Sequence, residues 1–377
     1  MTTRGIRMDR PLFYLLLFVV GTLILHAVTT TGEMPSTKQY LWPILILFGI
    51  GYIAFYTRHL GSMLYWMVIW MSISCFVAIM QSMDIGIAWD LRLAIGGIPE
   101  DEALKHQIVE RFKPSGLAYF SVQLAYQISV IFPFSLLFLV RSQSSINKRG
   151  FMLLVTILIG LGAVVIESLI AIGTVFLSIL IVYYYSKRIS WRHLAKLTAG
   201  LMFIMVILFY AGRLDRLANI RTDGNALSRL PMAIVGAMIV SENLRGVKNS
   251  QIDKEKSRVG GSLISNMAGS DMVSEMGLHN SFLSAAVKHG IIVLLCYISI
   301  YIYILFRLRK LIKNSNRYNK ILYITISTSV LCYVSQSLFH NAGIPTGDLQ
   351  GWFICVIAIS VSSNQNEDLF ANRIQIG

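Results

Sequence analysis

The chain has 377 residues, of which 55% are hydrophobic and only 14% are charged, and its formal net charge is +14. Soluble domains are about a quarter charged, so this chain lacks the polar side chains to face water on every side. The positive balance invites a nucleic-acid reading, but the placement of the charges argues against it.

The first apolar run, 11–28, follows Arg4, Arg7 and Arg10. No small-x-small cleavage site comes after it, so it reads as an uncleaved span rather than a signal peptide. Further spans are predicted at 41–57, 62–80, 116–140, 151–166, 168–185, 197–211, 282–306, 321–339 and 349–363. Each approaches the roughly 20 apolar residues that a bilayer crossing needs, the short ones by tilt or kink. The stretch 151–185 is too long for one helix. A charge in its middle is costly in lipid, so it is divided at Glu167-Ser168. The expectation is an all-α polytopic membrane protein, one integral domain over 1–377 with about ten transmembrane helices. Cys75, Cys296, Cys332 and Cys355 all lie in apolar runs and read as small core residues. Neither a disulfide framework nor a zinc site is suggested, and no metal or cofactor is expected.

With both termini inside, the segments assigned to the cytoplasm hold 18 of the 33 basic residues and three of the 19 acids. That is the bias of the positive-inside rule, and it accounts for most of the net charge without nucleic acid. Two outer segments are long. In 81–115 the cluster Pro99-Glu100-Asp101-Glu102 reads as a helix start, where carboxylates complement the dipole. Trp89, Arg92 and Arg111 are its candidate sugar contacts.

The outer loop 211–280 holds nine basic residues, six of them arginine: Arg213, Arg216, Arg221, Arg229, Arg245 and Arg258. Arginine's planar fork suits bidentate binding of phosphate. Arg213 and Arg216, three apart at a membrane exit, are anion-binding or interfacial anchors. Arg229 follows Ser228, an N-cap residue, and Pro231 lies in the first turn, so a short apolar helix is predicted from Arg229 to about Ser241. The stretch 248–271 is polar and glycine-bearing, and is expected to be mobile. At the far end, His279 is predicted to open a long helix, with Ala286 and Gly290 on the same face. The positive end of a helix lowers an imidazole pKa, and a neutral histidine is what a general base requires.

Two groups of residues carry a resemblance. Ser228-Arg229 through Ile239, then Glu242-Asn243-Leu244-Arg245-Gly246-Val247, resembles the arginine, apolar helix and Asn-Pro-Leu-x-Gly turn of the O-antigen ligase and polymerase superfamily. About fifty residues later, His279-Asn280-Ser281-Phe282-Leu283 with Gly290 is similar to that family's histidine motif. The resemblance covers roughly 160–352. It implies a GT-C-like membrane glycosyltransferase with a periplasmic loop of short helices, acting in a bacterial inner membrane by metal-independent, inverting transfer. Its partners would be undecaprenyl-diphosphate-linked glycans, membrane lipids and a chain-length regulator. Carried over, Arg229 neutralises the diphosphate and His279 activates the acceptor hydroxyl, with Arg213, Arg216, Arg245 and Asn280 as further diphosphate contacts. The family's Ser-Arg-Gly motif is not matched: Glu167-Ser168-Leu169-Ile170 has leucine in its place, and Arg149-Gly150 falls on the cytoplasmic side. Arg213 or Arg216 would fill that gap. A polymerase of lipid-linked repeats is the expected activity. The alternatives are a ligase onto lipid A core and, in another class, a transporter or flippase for lipid-linked sugars. A transporter should carry ionisable groups near mid-membrane, and only Glu167, Lys288 and His289 approach that depth.

Overall fold

The computed structural model describes residues 17–18, 20–21, 24–25, 60–98, 102–111, 113–142, 146–186, 199–200, 206, 229–268, 278, 280–340 and 349–363. In chain order the helices are α1 Leu60–Ser82, α2 Gly86–Gly96, α3 Glu102–Val109, α4 Ser121–Arg141, α5 Ile146–Val165 and α6 Leu169–Ser186. They continue with α7 Arg229–Glu242, α8 Ile252–Ala268 after a 3₁₀ turn at Asn249–Gln251, α9 Ser281–His289, α10 Ile291–Asn314, α11 Arg317–Ser337 and α12 Leu349–Ser363. The described residues contain no strand.

Four of these helices, α1, α4, α5 and α10, are long and apolar enough to cross a membrane. The apolar cores of α6, α7 and α12 are shorter. The chain is thus a helical membrane protein by length and composition. Predicted span 41–57 lies outside the described residues, and spans 11–28 and 197–211 are described only at isolated helical positions. The chain divides into two compact units: Met1–Thr57 with Ile220–Lys310 and Ser337–Asn366, and Arg58–Asn219 with Leu311–Gln336 and Glu367–Gly377.

In the second unit α1 packs on α4 and α5. Gly162 of α5 lets the two backbones close, since a Cβ there would lie 2.5 Å from Cys75 Sγ and 2.7 Å from its Cβ. All four cysteines are buried, as expected of small core residues. Gly162→Val should therefore destabilise the detergent-solubilised protein by about 1–3 kcal/mol. Thermal unfolding checks this, and Cys75→Ala in the same chain should recover part of the loss.

The division at Glu167-Ser168 is present: α5 ends at Val165, Glu167 takes a left-handed φ of 53°, and α6 begins at Leu169. Ser168 Oγ accepts from Ala171 N, a cap for the new helix. The first residues of α5, including Lys148 and Arg149, precede the predicted span start at 151. Between α4 and α6, Ser129 and Thr174 hydroxyls bond at 2.9 Å, and Gln336 Nε2 of α11 donates to Ser129 Oγ at 2.8 Å.

α11, predicted as span 321–339, is 21 residues long but too polar to qualify by composition alone. Its hydroxyls are absorbed locally. Thr325, Ser327 and Thr328 donate to the carbonyls of Ile321, Tyr323 and Ile324, and Ser329 donates to Val130 O of α4 at 2.6 Å. Internally satisfied hydroxyls are what a low-dielectric setting tolerates.

The outer segment 81–115 is folded rather than open. Gln81 holds its far end: Nε2 donates to Ala88 O and Gly116 O, and Oε1 accepts from Ser115 N and Gly116 N. Two candidate sugar contacts turn inward, because Trp89 and Arg92 are 1% and 0% exposed. Arg92 donates to Gly97 O at the end of α2 and to Tyr119 O, with its guanidinium 5.6 Å from the Tyr119 ring centre. Arg92 is a buried tie between two chain segments. Arg111 stays exposed. The predicted helix start at the acidic cluster is met by α3, which opens on Glu102.

Candidate functional site: the docked turn at Gly246 and Gly290

The motif-bearing segments lie in one unit, so their geometry can be built residue by residue. α7 opens at Arg229 and runs to Glu242, as the Ser228-Arg229 and Pro231 signals predict. Of its 14 residues, Met232, Val235 and Ile239 face the core, while Ile234 and Met238 are exposed on the other side. At 1.5 Å per residue the helix is about 21 Å long, short of the roughly 30 Å hydrocarbon core. A helix of this length is too short to cross that core by itself. Gly236 allows close approach to the segment before α9, because a Cβ there would sit 3.1 Å from Leu278 Cδ2.

The stretch 248–271, expected to be mobile, contains α8. Two forces overrode its polar look. Ile252 and Val259, seven apart, share one face and enter the core built by α7 and α9. Asp253 pairs with Lys256, which is itself buried, and on the surface Glu255 pairs with Arg258, each three residues on. Arg258 also reaches Glu242 at the end of α7, and these two carboxylates raise its pKa, Glu242 foremost. The pairs are mostly solvent-exposed, so they add little stability beyond fixing the α7–α8 register.

The predicted eighth span, 282–306, is also corrected. It is broken: α9 ends at His289, Gly290 takes a φ of 90°, and α10 starts at Ile291. Gly290 is therefore not on a helix face with Ala286, as the sequence spacing suggested. The break has a partner, the turn after α7. Val247 N donates to Val287 O at 2.7 Å, and Ile291 N donates to Leu244 O at 3.0 Å. Gly246, with φ of 92°, completes the joint. A Cβ on Gly246 would lie 2.9 Å from Gly290 N and from Lys288 O, and one on Gly290 would lie 2.9 Å from Arg245 C and O. Two glycines in left-handed backbone thus let two chain segments touch main chain to main chain.

The predicted site residues are distributed as follows. Arg229 is the first residue of α7, and only its backbone is described. Arg245 is exposed on the docked turn and makes no ion pair among the described residues. Asn280 is the N-cap of α9: its side-chain oxygen accepts from Phe282 N and Leu283 N, both at 3.0 Å. That engages the side-chain carbonyl in capping the helix. Ser281 Oγ, fully buried, donates to Ser337 O and pins the start of α9 to the end of α11. His279, Arg213 and Arg216 lie outside the described residues. What the sequence reading missed here is the joint itself; both glycines stood in the motifs, but nothing in their spacing showed that they meet.

Compared with known proteins, the chain matches no protein-family model and no curated protein.

Proposed function

We propose that the chain is an O-antigen polymerase, or a capsular or exopolysaccharide polymerase, of a bacterial inner membrane. It would join undecaprenyl-diphosphate-linked oligosaccharide repeats by metal-independent, inverting transfer on the periplasmic face. The observation that carries this reading is the docking of Leu244–Val247 on the break at Gly290. It unites in one hydrophobic unit the two segments on which the resemblance rests. The topology proposed with it has ten spans, both termini in the cytoplasm and loop 211–280 outside. The eighth span is redrawn as α10, whose C-terminal end carries Arg307, Arg309, Lys310 and Lys313. Such a cluster favours the cytoplasmic side, and in the proposed topology Gly290 and the docked turn lie at the outer end.

In the proposed reaction the acceptor hydroxyl attacks the anomeric carbon from the face opposite the diphosphate. The carbon–oxygen bond to the diphosphate breaks, the new glycosidic bond forms, and the hydroxyl proton passes to His279. Undecaprenyl diphosphate leaves, and Arg229 counters the charge gathering on it. Fixed cations aimed at developing charge lower a barrier because they need no reorganisation as the bond breaks.

The test is direct: purified protein in lipid, given undecaprenyl-diphosphate repeat units, should lengthen them. Arg229→Ala should slow that elongation about 10²–10³-fold, the effect of removing one charge-stabilising group. In vivo, lipopolysaccharide from a deletion strain should carry one repeat unit on core. Bare core would instead identify a ligase, and wild-type lipopolysaccharide from the deletion strain would remove both readings.

A further inference from the structure

We propose that Ser129 of α4, Thr174 of α6 and Gln336 of α11 form a binding site for a sodium-sized monovalent cation within the second unit. The three side chains touch in one cluster. The Ser129 and Thr174 hydroxyl oxygens are 2.9 Å apart, and Gln336 Nε2 lies 2.8 Å from Ser129 Oγ. All three are sealed from solvent, at 1%, 3% and 0% exposure. The cluster is rich in oxygen lone pairs and short of hydrogens to meet them. Ser129 Oγ lies 2.8 Å from Ala125 O, and Thr174 Oγ1 lies 2.8 Å from Ala171 O, so each hydroxyl donates to a carbonyl of its own helix. With both hydrogens placed there, the two hydroxyl oxygens face each other and share one donor, the Gln336 amide. Gln336 Oε1, on that same amide, is buried and has no hydrogen-bond partner among the described residues. The break in α4 adds to the excess. Pro133 has no amide hydrogen, so the Ser129 carbonyl loses the donor that a regular helix supplies. Val130 O, the next carbonyl, accepts instead from Ser329 Oγ of α11 at 2.6 Å.

Hydrogen bonding between helices accounts for the 2.8 and 2.9 Å contacts by itself. It does not account for an amide oxygen closed off from water beside two hydroxyls whose hydrogens are spent. A cation meets every one of these oxygens at once. Calcium and magnesium are held through carboxylates, and this cluster has none, so the ligands suit a single positive charge. Among the described residues no group of three or more His, Cys, Asp or Glu could hold a metal ion, which leaves neutral oxygens as the chemistry on offer. Carbonyls at a helix break are ligands that membrane proteins give to sodium. The 2.9 Å spacing of the hydroxyl oxygens favours a small ion over a larger one. The ion would fasten α4, α6 and α11 together and touch no substrate. The site is read from these residues alone and does not rest on the proposed glycosyl transfer.

Thermal unfolding of the full-length protein in phosphatidylcholine nanodiscs tests this, with sodium chloride titrated against choline chloride at constant ionic strength. Binding to the folded state alone raises Tm by mass action, so wild type should gain about 5 °C as sodium saturates. Potassium should give a smaller gain. Gln336→Leu removes the unmet oxygen and should weaken the apparent affinity for sodium about tenfold or more. Gln336→Glu keeps the oxygens and should retain the response. Thr156→Ala, which removes a buried hydroxyl of α5 bonded only to its own helix, should leave the sodium dependence unchanged. If Gln336→Leu does not fold, Thr174→Val decides. No saturable sodium response by wild type, or equal responses from wild type and Gln336→Leu, overturns the site. So does a gain that sodium and potassium produce alike. A cryo-electron microscopy map with the same density between Gln336 and Ser129 in choline as in sodium would identify an ordered water and overturn the cation.

Discussion

If the proposed polymerase reading holds, His279→Ala should abolish long glycan chains while the protein accumulates in the membrane at its normal level. The expected loss is about 10²–10⁴-fold, the usual contribution of a general base. The fold should survive because other residues anchor the start of α9. The start of α9 is held by the Asn280 side chain on Phe282 N and Leu283 N, and by Ser281 Oγ on Ser337 O. Electrophoresis of lipopolysaccharide beside an immunoblot of the membrane fraction reads both quantities. A wild-type chain-length ladder from this variant would remove His279 from the chemistry. His279→Gln should behave like His279→Ala, because an amide can hydrogen-bond a hydroxyl but cannot accept its proton at neutral pH.

The second large effect is expected at Gly290, and it is structural before it is chemical. Gly290→Val meets two penalties at once. A β-branched residue at φ of 90° is strained, and its Cβ would lie 2.9 Å from Leu244 O and from Arg245 C and O, all main-chain atoms that cannot rotate away. Together these come to roughly 2–6 kcal/mol. The cheapest relief is to release the turn, so Val247 N and Ile291 N lose their partners. Limited proteolysis should then cut within 243–251, where wild type should resist, and elongation should fall with it. Gly290→Ala should be intermediate. Wild-type protease resistance in Gly290→Val would mean that the two segments are held together by something other than this joint.

How much of this was legible beforehand depends on the kind of signal. α1 was read from hydropathy within two residues at each end, as 62–80 against Leu60–Ser82. The break at Glu167 was visible because a charge inside an apolar run has one cheap explanation. α7 was visible because proline in a first turn and a polar stop bracket it. The break at Gly290 was hidden: residues on both sides are apolar, and a glycine inside a helical pattern is ordinarily tolerated. Only its partner Gly246, distant in sequence, makes the left-handed backbone useful. α8 was missed because its core face has few apolar residues and includes Lys256, so average polarity masked the periodicity. The inward turn of Trp89 and Arg92 was equally invisible, since the carbonyls that receive Arg92 belong to Gly97 and Tyr119 and carry no side-chain signature. Of the proposed site, the sequence supplied candidate letters; which of them share a neighbourhood came only with the folded chain.

A joint built from main-chain amides and carbonyls is nearly blind to side-chain identity. Leu244 and Val287 contribute carbonyls that any residue could supply, and Val247 and Ile291 amides that any residue but proline could supply, so for the joint's own hydrogen bonds and close approach only the two glycines are held to their places. Substitutions can pile up around such a hinge point until overall identity fades, while the architecture it ties together persists. Kinship among proteins of this design is thus better sought in the separation of paired glycines than in letter-by-letter agreement.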